Sequence, residues 1–476
     1  MSRARRSHER GAGAAAAIAR RAKRSLALAA AGSRLACMAL AIGGTTRAAA
    51  AAETIVLAGG TVHPVSGPAI ENGMVVMRNG RIDAVGQKLV APAGATVVSC
   101  SGRHVYPGMI SALSVLGLTE VGSVAGTNDW QETGSVNPDV RAEVQVNPES
   151  DLLPVTRVNG ITSALVVPRG GVIAGTSALI HLDGWTEEDM TVRAPVGLHV
   201  LWPSMTPVHA WWETRSDEEQ RRARDAALDS LLRAFDDARA YWKARDAEGK
   251  GGAPRHDRDV KWDALGKALR GEIPVLIHAA ALNQIRAALR FVDEQKFPKV
   301  ALVGGDDAWR VADELKARNI AVICGGTLEL PARRDEPYDE AMALPAKLAA
   351  AGIHFCISDG GGPFTAPNAR NLPYHASMAA AYGLPREEAL KGVTLYVAQV
   401  LGVADRLGSL EAGKIADVIV TTGDPLEIAT AVEQVYIAGR AVSMETRQTR
   451  LFHKYEARPR GPNARKLAGA DGALKR

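Results

Sequence analysis

Between Glu272 and Gly362 the chain alternates short apolar runs with amphipathic ones: EIPVLIHA, LNQIRAALRFVDEQ, KVALVGG, DAWRVADELKARN, IAVICGG and IHFCISDGG. The apolar runs have the length of strands and the amphipathic ones carry apolar residues at helical spacing, so the alternation predicts parallel βα units. Few architectures accept that rhythm. At 476 residues the chain exceeds one small core and suits a barrel with a smaller companion domain.

The last of these strands, Ile353-His354-Phe355-Cys356-Ile357, stops at Gly360-Gly361-Gly362-Pro363 and delivers Asp359 into the turn. In a (β/α)8 barrel the C-terminal ends of the strands gather the catalytic groups, which makes Asp359 a chemical candidate. An aspartate there also serves as a cap for the next segment. His278 ends its own strand, PVLIHA, in the same way. Glycines follow three successive strands, Gly304-Gly305, Gly325-Gly326 and Gly360-Gly361-Gly362. They read either as an anion-binding collar of N–H groups or as tight βα turns.

Upstream, TIVLAGGTVHPVSG, ENGMVVMRNGRIDAVG and ATVVSCSGRHVYPG are short strands separated by Gly, Asn and Pro turns. Downstream of Asp359, LPREEALKGVTLYVAQVLGV has helical spacing, and GSLEAGKIADVIVTTGDPLE is a turn, an apolar strand and another turn. From Glu53 to about Val442 the chain resembles the amidohydrolase superfamily, its imidazolonepropionase-like group in particular; GSLEAGKIADVIV is the most specific piece. The resemblance implies an α/β fold, a (β/α)8 TIM-like barrel over residues 109–404 inserted into a small composite β-sandwich. Residues 53–108 and 405–445 would supply that sandwich, the latter through IADVIVTTG and AVEQVYIAGRAV.

In that family a divalent metal lowers the pKa of a water, and an aspartate on the eighth strand takes its proton as hydroxide attacks an amide-like carbon. His278 matches the metal-binding histidine of the fifth strand and Asp359 the eighth-strand aspartate, both ligand and proton shuttle. The first strand departs from the pattern. Aligning Pro107-Gly108-Met109-Ile110 puts Ser111 where an aspartate is expected and Leu113 and Val115 at two histidine positions; Gly304 or Gly305 replaces a sixth-strand histidine. His278 and Asp359 therefore imply at most one divalent metal such as zinc, weakly held, and no metal is the alternative. Asn368, Arg370 and Asn371 resemble the asparagine-rich segment of closer relatives and are candidate substrate-binding residues; Arg370 could grip a carboxylate or pin a carbonyl.

Three chemistries remain open at this stage. A displaced metal site would recruit His209, Glu120 or an acid of residues 127–150; a metal-free hydrolase would use Asp359 as base with His278; or the fold only binds a ligand. The first expectation is a hydrolase acting on a non-peptide C–N bond, such as that of a cyclic amide. The second is an inactive relative that binds a small molecule.

Residues 1–52 run from a basic segment through LALAAAGSRLACMALAIGG to small residues, the order of a secretory leader, which implies a periplasmic or secreted protein. Ten Lys/Arg and one acid lie in residues 1–50, nine and two in residues 446–476. With a formal total of +5, residues 51–445 carry −11, so the basic balance belongs to the ends and gives no support for nucleic-acid binding. The tail 446–476 is expected to be disordered, and no later stretch is long and apolar enough to span a membrane. Homo-oligomers are compatible with such a chain. Cys100, Cys324 and Cys356 read as buried thiols rather than a disulfide framework. Residues 214–250 form a helical excursion capped by Ser216, with Ala227, Leu231, Leu232 and Phe235 as its packing face. His181 and His199 lie in apolar runs, as core histidines do, and residues 126–151 read as a solvated loop that satisfies its own backbone, the alternative being a site lined by Asn128, Asp129, Asn137, Arg141, Glu143 and Asn147.

Overall fold

The computed structural model describes residues 54–251 and 254–458. The expected leader and the tail beyond residue 458 lie outside the described residues. Among the described residues the fold is mixed α/β, with three sheets.

The largest sheet has eight strands and draws on both ends of the described chain. Val418–Thr421 pairs antiparallel with His104–Pro107 in the register Val418↔Pro107 to Thr421↔His104. Val432–Ile437 then adds on the outside, so IADVIV and VEQVYI join the N-terminal strands as expected. Alternation at period two puts Ile55, Leu57, Val75, Met77, Val418 and Val420 into one apolar layer. One carboxylate fastens this sheet to its neighbour. Asp417 is buried; its Oδ1 accepts the Ala438 N–H at 2.9 Å, and its Oδ2 accepts the Ser163 hydroxyl at 3.2 Å and lies 3.3 Å from His181 Nε2.

The second sheet has four strands, among them the parallel pair Met109–Ser114 and Ile161–Val166. The third has six strands; Leu198–Leu201, Val275–Ala279, Val300–Gly304, Ala321–Gly326 and Phe355–Ser358 lie side by side and parallel, as the βα rhythm predicts. Both faces of these strands are apolar because both are covered. Val275, Ile277, Val322, Phe355 and Ile357 point toward the helices. Leu276, Val303, Ile323 and Cys356 point the other way, into a core shared with Leu113, Leu165 and Leu179 of the four-stranded sheet.

Ser216 caps the helix Asp217–Gly249 in a full capping box with Glu219. Its buried stripe is Leu231, Ala234, Phe235 and Ala238; Leu232 is 37% exposed, since one residue further round turns it about 100° from the core. The tail is ordered further than expected. Arg447–Glu456 is a helix capped by Thr446, and Arg447 and Arg450 reach Asp151 at 3.7 and 3.3 Å. It buries no residue, so caps and charge pairs hold it rather than an apolar face. Cys100, Cys324 and Cys356 are free and buried. Among the described residues no helix is long and apolar enough to cross a membrane.

Candidate functional site

Period two along the strand Val275–Ala279 sends His278 to the same inner side as Leu276, at the C-terminal end of the strand. On the adjacent strand His199 also faces inward, fully buried, and its Nδ1 lies 2.8 Å from His278 Nε2. Burial first, and then the charge of Arg169, pushes the His278 pKa down to about 3. Burial, His278 and Arg169 push His199 well below its ordinary value. Two neutral rings therefore share one hydrogen bond, with one nitrogen donating and the other accepting.

Asp359 follows Phe355–Ser358, the edge strand of this sheet, and is 4% exposed. Burial pushes its pKa up to about 6, against the opposing pull of its own N–H, the Ser111 hydroxyl, the Arg169 charge and the Gly361 N–H. Ser111 Oγ lies 3.4 Å from Asp359 Oδ1 and 3.2 Å from the Leu113 carbonyl oxygen, so its one proton has two acceptors. The turn needs glycine: a Cβ on Gly361 would fall 2.6 Å from Leu113 Cγ and 2.7 Å from Leu113 O, at a φ of +59°. Leu113 thus fills the space beside the aspartate loop, where the resemblance implied a metal-binding histidine.

Arg169 joins these groups. It follows Pro168 beyond the strand Ile161–Val166, and its N–H donates to the Trp130 carbonyl at 2.6 Å. Its Nη2 donates to the Gly360 carbonyl at 3.3 Å, while Nε is buried with no hydrogen-bond partner. Burial lowers the guanidinium's pKa and the Asp359 charge raises it again. Arg169 is the charged neighbour common to Asp359, His278 and His199. Sequence reasoning missed it because PRGG reads as a turn. His375 was missed too: it is buried in the helix Leu372–Ala381, its Nδ1 accepts the Thr327 N–H at 3.0 Å, and burial pushes its pKa down to about 4. A Cβ on Gly326 would lie 3.2 Å from His375 Cε1 and 3.4 Å from the Asp359 backbone, which places that ring close behind the site.

Other candidates lie elsewhere. Asn368 is exposed; Arg370 and Asn371 line a separate surface cavity of about 220 Å³ with Asn159 and Tyr374, and the Arg370 carbonyl accepts Asn159 Nδ2 at 2.6 Å. The 3-10 helix Ala366–Asn371 carries them off the strand end. His209 is exposed and lies 3.7 Å from Asp217; Glu120 accepts Asn147 Nδ2 at 3.2 Å; Glu143 pairs with Arg141 at 2.7 Å. Asn128 Nδ2 donates to the Val124 carbonyl at 2.9 Å, but the loop is not solvated throughout, since Asn137 and Glu143 are buried and Trp130 Nε1 and Gln145 Oε1 have no hydrogen-bond partner. The glycine N–H groups do not form a collar. Gly305 donates to the Ala279 carbonyl at 2.9 Å, Gly360 to Ser358 Oγ at 3.1 Å and Gly362 to Thr365 Oγ1 at 2.9 Å.

A metal centre of the implied kind does not fit these residues. Leu113 and Val115 are buried hydrocarbon, His278 Nε2 faces another imidazole, and a guanidinium stands beside the carboxylate. Among the described residues no three His, Cys, Asp or Glu side chains gather as ligands, whereas a catalytic zinc takes about three from the protein.

Residues 192–442 match the model of the amidohydrolase family. The chain is 26% identical over 407 residues to amidohydrolase tasK of Hapsidospora irregularis; the match covers 78% of this chain and 40% of that protein's length. It is 25% identical over 388 residues to an imidazolonepropionase of Mesorhizobium japonicum, covering 78% of this chain and 90% of the relative. The crystal structure of an amidohydrolase from Thermotoga maritima MSB8 superposes with a TM-score of 0.72 at 26% identity, over 82% of this chain and 99% of that one.

Proposed function

The chain belongs to the amidohydrolase family, and we propose that it is a hydrolase of a non-peptide C–N bond, such as that of a cyclic amide, with Asp359 as general base. The observation that carries this reading is the Asp359 carboxyl, buried at a strand end and pushed up to about 6, where a base works well near neutrality. Its carboxylate takes a proton from a water whose oxygen attacks the carbonyl carbon. The proton then passes to the leaving nitrogen and the C–N bond breaks, leaving a carboxylic acid and an amine, which stay on one molecule when the amide is cyclic. His278 is too weak a base to carry that proton near neutral pH; its role is to fix the wall of the site through His199.

The two smaller sheets then act as arcs of one (β/α)8 barrel carried on a composite β-sandwich; their shared apolar core supports this. Export is part of the proposal, on the leader-like order of residues 1–52, and N-terminal sequencing of protein from fractionated cells tests it. The activity is tested with protein never exposed to a metal-affinity column, assayed on a panel of cyclic amides beside Asp359→Asn. Hydrolysis that Asp359→Asn leaves intact would remove Asp359 as the base, and no hydrolysis of any amide by the parent would move the reading to a ligand-binding relative.

A further inference from the structure

We propose that the helix Arg447–Glu456 is a membrane-surface anchor, which lays Leu451, Phe452 and Tyr455 into the headgroup region of an anionic lipid bilayer. Such a helix lies on the bilayer and does not cross it. The inference is independent of the chemistry at Asp359.

At about 100° per residue, Leu451, Tyr455 and Phe452 fall within an arc of about 100°, and Arg447, Arg450 and Lys454 occupy an adjoining arc of about 60°. None of the ten residues is buried, and Leu451, Phe452 and Tyr455 are 38, 62 and 61% exposed. The apolar arc is therefore left outside the protein's own core. A helix this short does not persist in water by itself. The Thr446 hydroxyl accepts the Thr449 N–H at 3.2 Å, and Arg447 and Arg450 reach Asp151 at 3.7 and 3.3 Å, pairs that are roughly half exposed and contribute little. The helix is preformed but weakly held, and a surface that covers its apolar arc would stabilise it.

Charge selects that surface. Residues 446–476 carry nine Lys/Arg and two acids, whereas residues 51–445 carry −11. An anionic bilayer repels the body and attracts this end of the chain, which sets the orientation of approach. Apolar and aromatic side chains beside a basic arc are the composition of interfacial helices, the rings seated at headgroup level and the cations among the phosphates. The acidic body of a second copy would also answer these cations, but charge alone leaves Leu451, Phe452 and Tyr455 in water; a bilayer covers both arcs.

The test follows amide hydrogen exchange of residues 447–456 in the full chain as vesicles are added, made of phosphatidylcholine alone or with equimolar phosphatidylglycerol. This reads the helix itself, apart from any lipid affinity of residues 1–52. The expected result is slowed exchange in 447–456 with phosphatidylglycerol only, reversed at about 0.5 M salt. Affinity is the lipid concentration that gives half of the slowing. Phe452→Ser with Tyr455→Ser should weaken it roughly ten- to hundred-fold, and Lys454→Gln about five-fold, the effect of one cation at an anionic surface. Phe452→Trp should keep or tighten it. All three variants should melt at the parental temperature, since the altered side chains are outside the core. Exchange that vesicles leave unchanged, equal slowing by both vesicle types, or undiminished affinity in the double serine variant overturns the proposal. Slowed exchange that follows protein concentration without lipid also overturns it and assigns the helix to a second copy.

Discussion

His199 Nδ1 and His278 Nε2 stand 2.8 Å apart on neighbouring parallel strands, and each ring is the other's polar partner inside an apolar core. His278→Ala should leave His199 with a second unpaired ring nitrogen, since its Nε2 already has no partner. The expected loss is about 1–3 kcal/mol of unfolding free energy, read by denaturant titration. The pH dependence has a definite sign. Both pKa values are depressed in the folded protein, so the stability the pair contributes is fully present above its ordinary value of 6.5 and declines as pH falls toward about 3. A double variant with Leu at both positions should flatten that decline. If the parent and the double variant lose stability equally between pH 6.5 and 4, the histidines are not buried as neutral rings.

Gly361→Ala should be costly for its size. The added methyl meets Leu113 Cγ at 2.6 Å in a left-handed backbone conformation, and both strain the turn that holds Asp359. A destabilisation of about 1–3 kcal/mol is expected. Gly352→Ala serves as the control, because it shares the positive φ, +71°, but has nothing within 4 Å of the new methyl. Equal losses at the two positions would show that the backbone conformation alone, and not Leu113, sets the penalty.

The four parallel strands between Val275 and Ser358, with His278 and Asp359 at their ends, were legible because strand and helix periods are local properties of the chain. The joining of both chain ends in one sheet was legible only through the resemblance, since nothing local to Val418–Thr421 names His104–Pro107 as its partner. Arg169 was not legible at all. Its burial depends on Trp130 and Gly360, which lie 39 and 191 residues away in sequence. His199 was read as a core histidine and is one, but its partner lies 79 residues on, beyond the reach of any pattern. The tail helix escaped because 447–456 is strongly polar and buries no residue, so its cap and its ion pairs to Asp151 hold it rather than a packed apolar face.

Asp417→Ala should destabilise the protein by about 3–5 kcal/mol, because it strips a buried acceptor from the Ala438 N–H and the Ser163 hydroxyl and removes the carboxylate 3.3 Å from His181 Nε2. The carboxyl's pKa lies below its ordinary 3.8, burial being outweighed by His181 and the hydrogen bonds, so its contribution holds above about pH 4 and fades on acidification. The same logic applies to the whole C-terminal segment. A truncation after Val403 removes Val418–Thr421 from beside His104–Pro107 and exposes that strand's edge. Cooperative melting of the truncated chain at the parental temperature would refute the structural need for this segment.

Asp359→Asn separates chemistry from stability, because the two should move in opposite directions. As base, the carboxylate must be ionised, so parental hydrolysis should rise with pH through about 6 and level off above it. The asparagine variant should lose roughly 10²–10⁴-fold in rate, together with that limb of the profile. Stability follows the other sign. The folded pKa lies above the ordinary 3.8, so the folded state holds its proton more tightly than the unfolded chain, and stability present below pH 3.8 is lost as pH rises through about 6. An amide that carries no charge escapes that loss. Asp359→Asn should therefore unfold at higher denaturant than the parent at pH 8, by about 1–3 kcal/mol, with the gap narrowing toward pH 4. A variant both slower and less stable at pH 8 would mean that Asp359 is ionised in the fold with strong partners, which removes the reason to regard it as a tuned base.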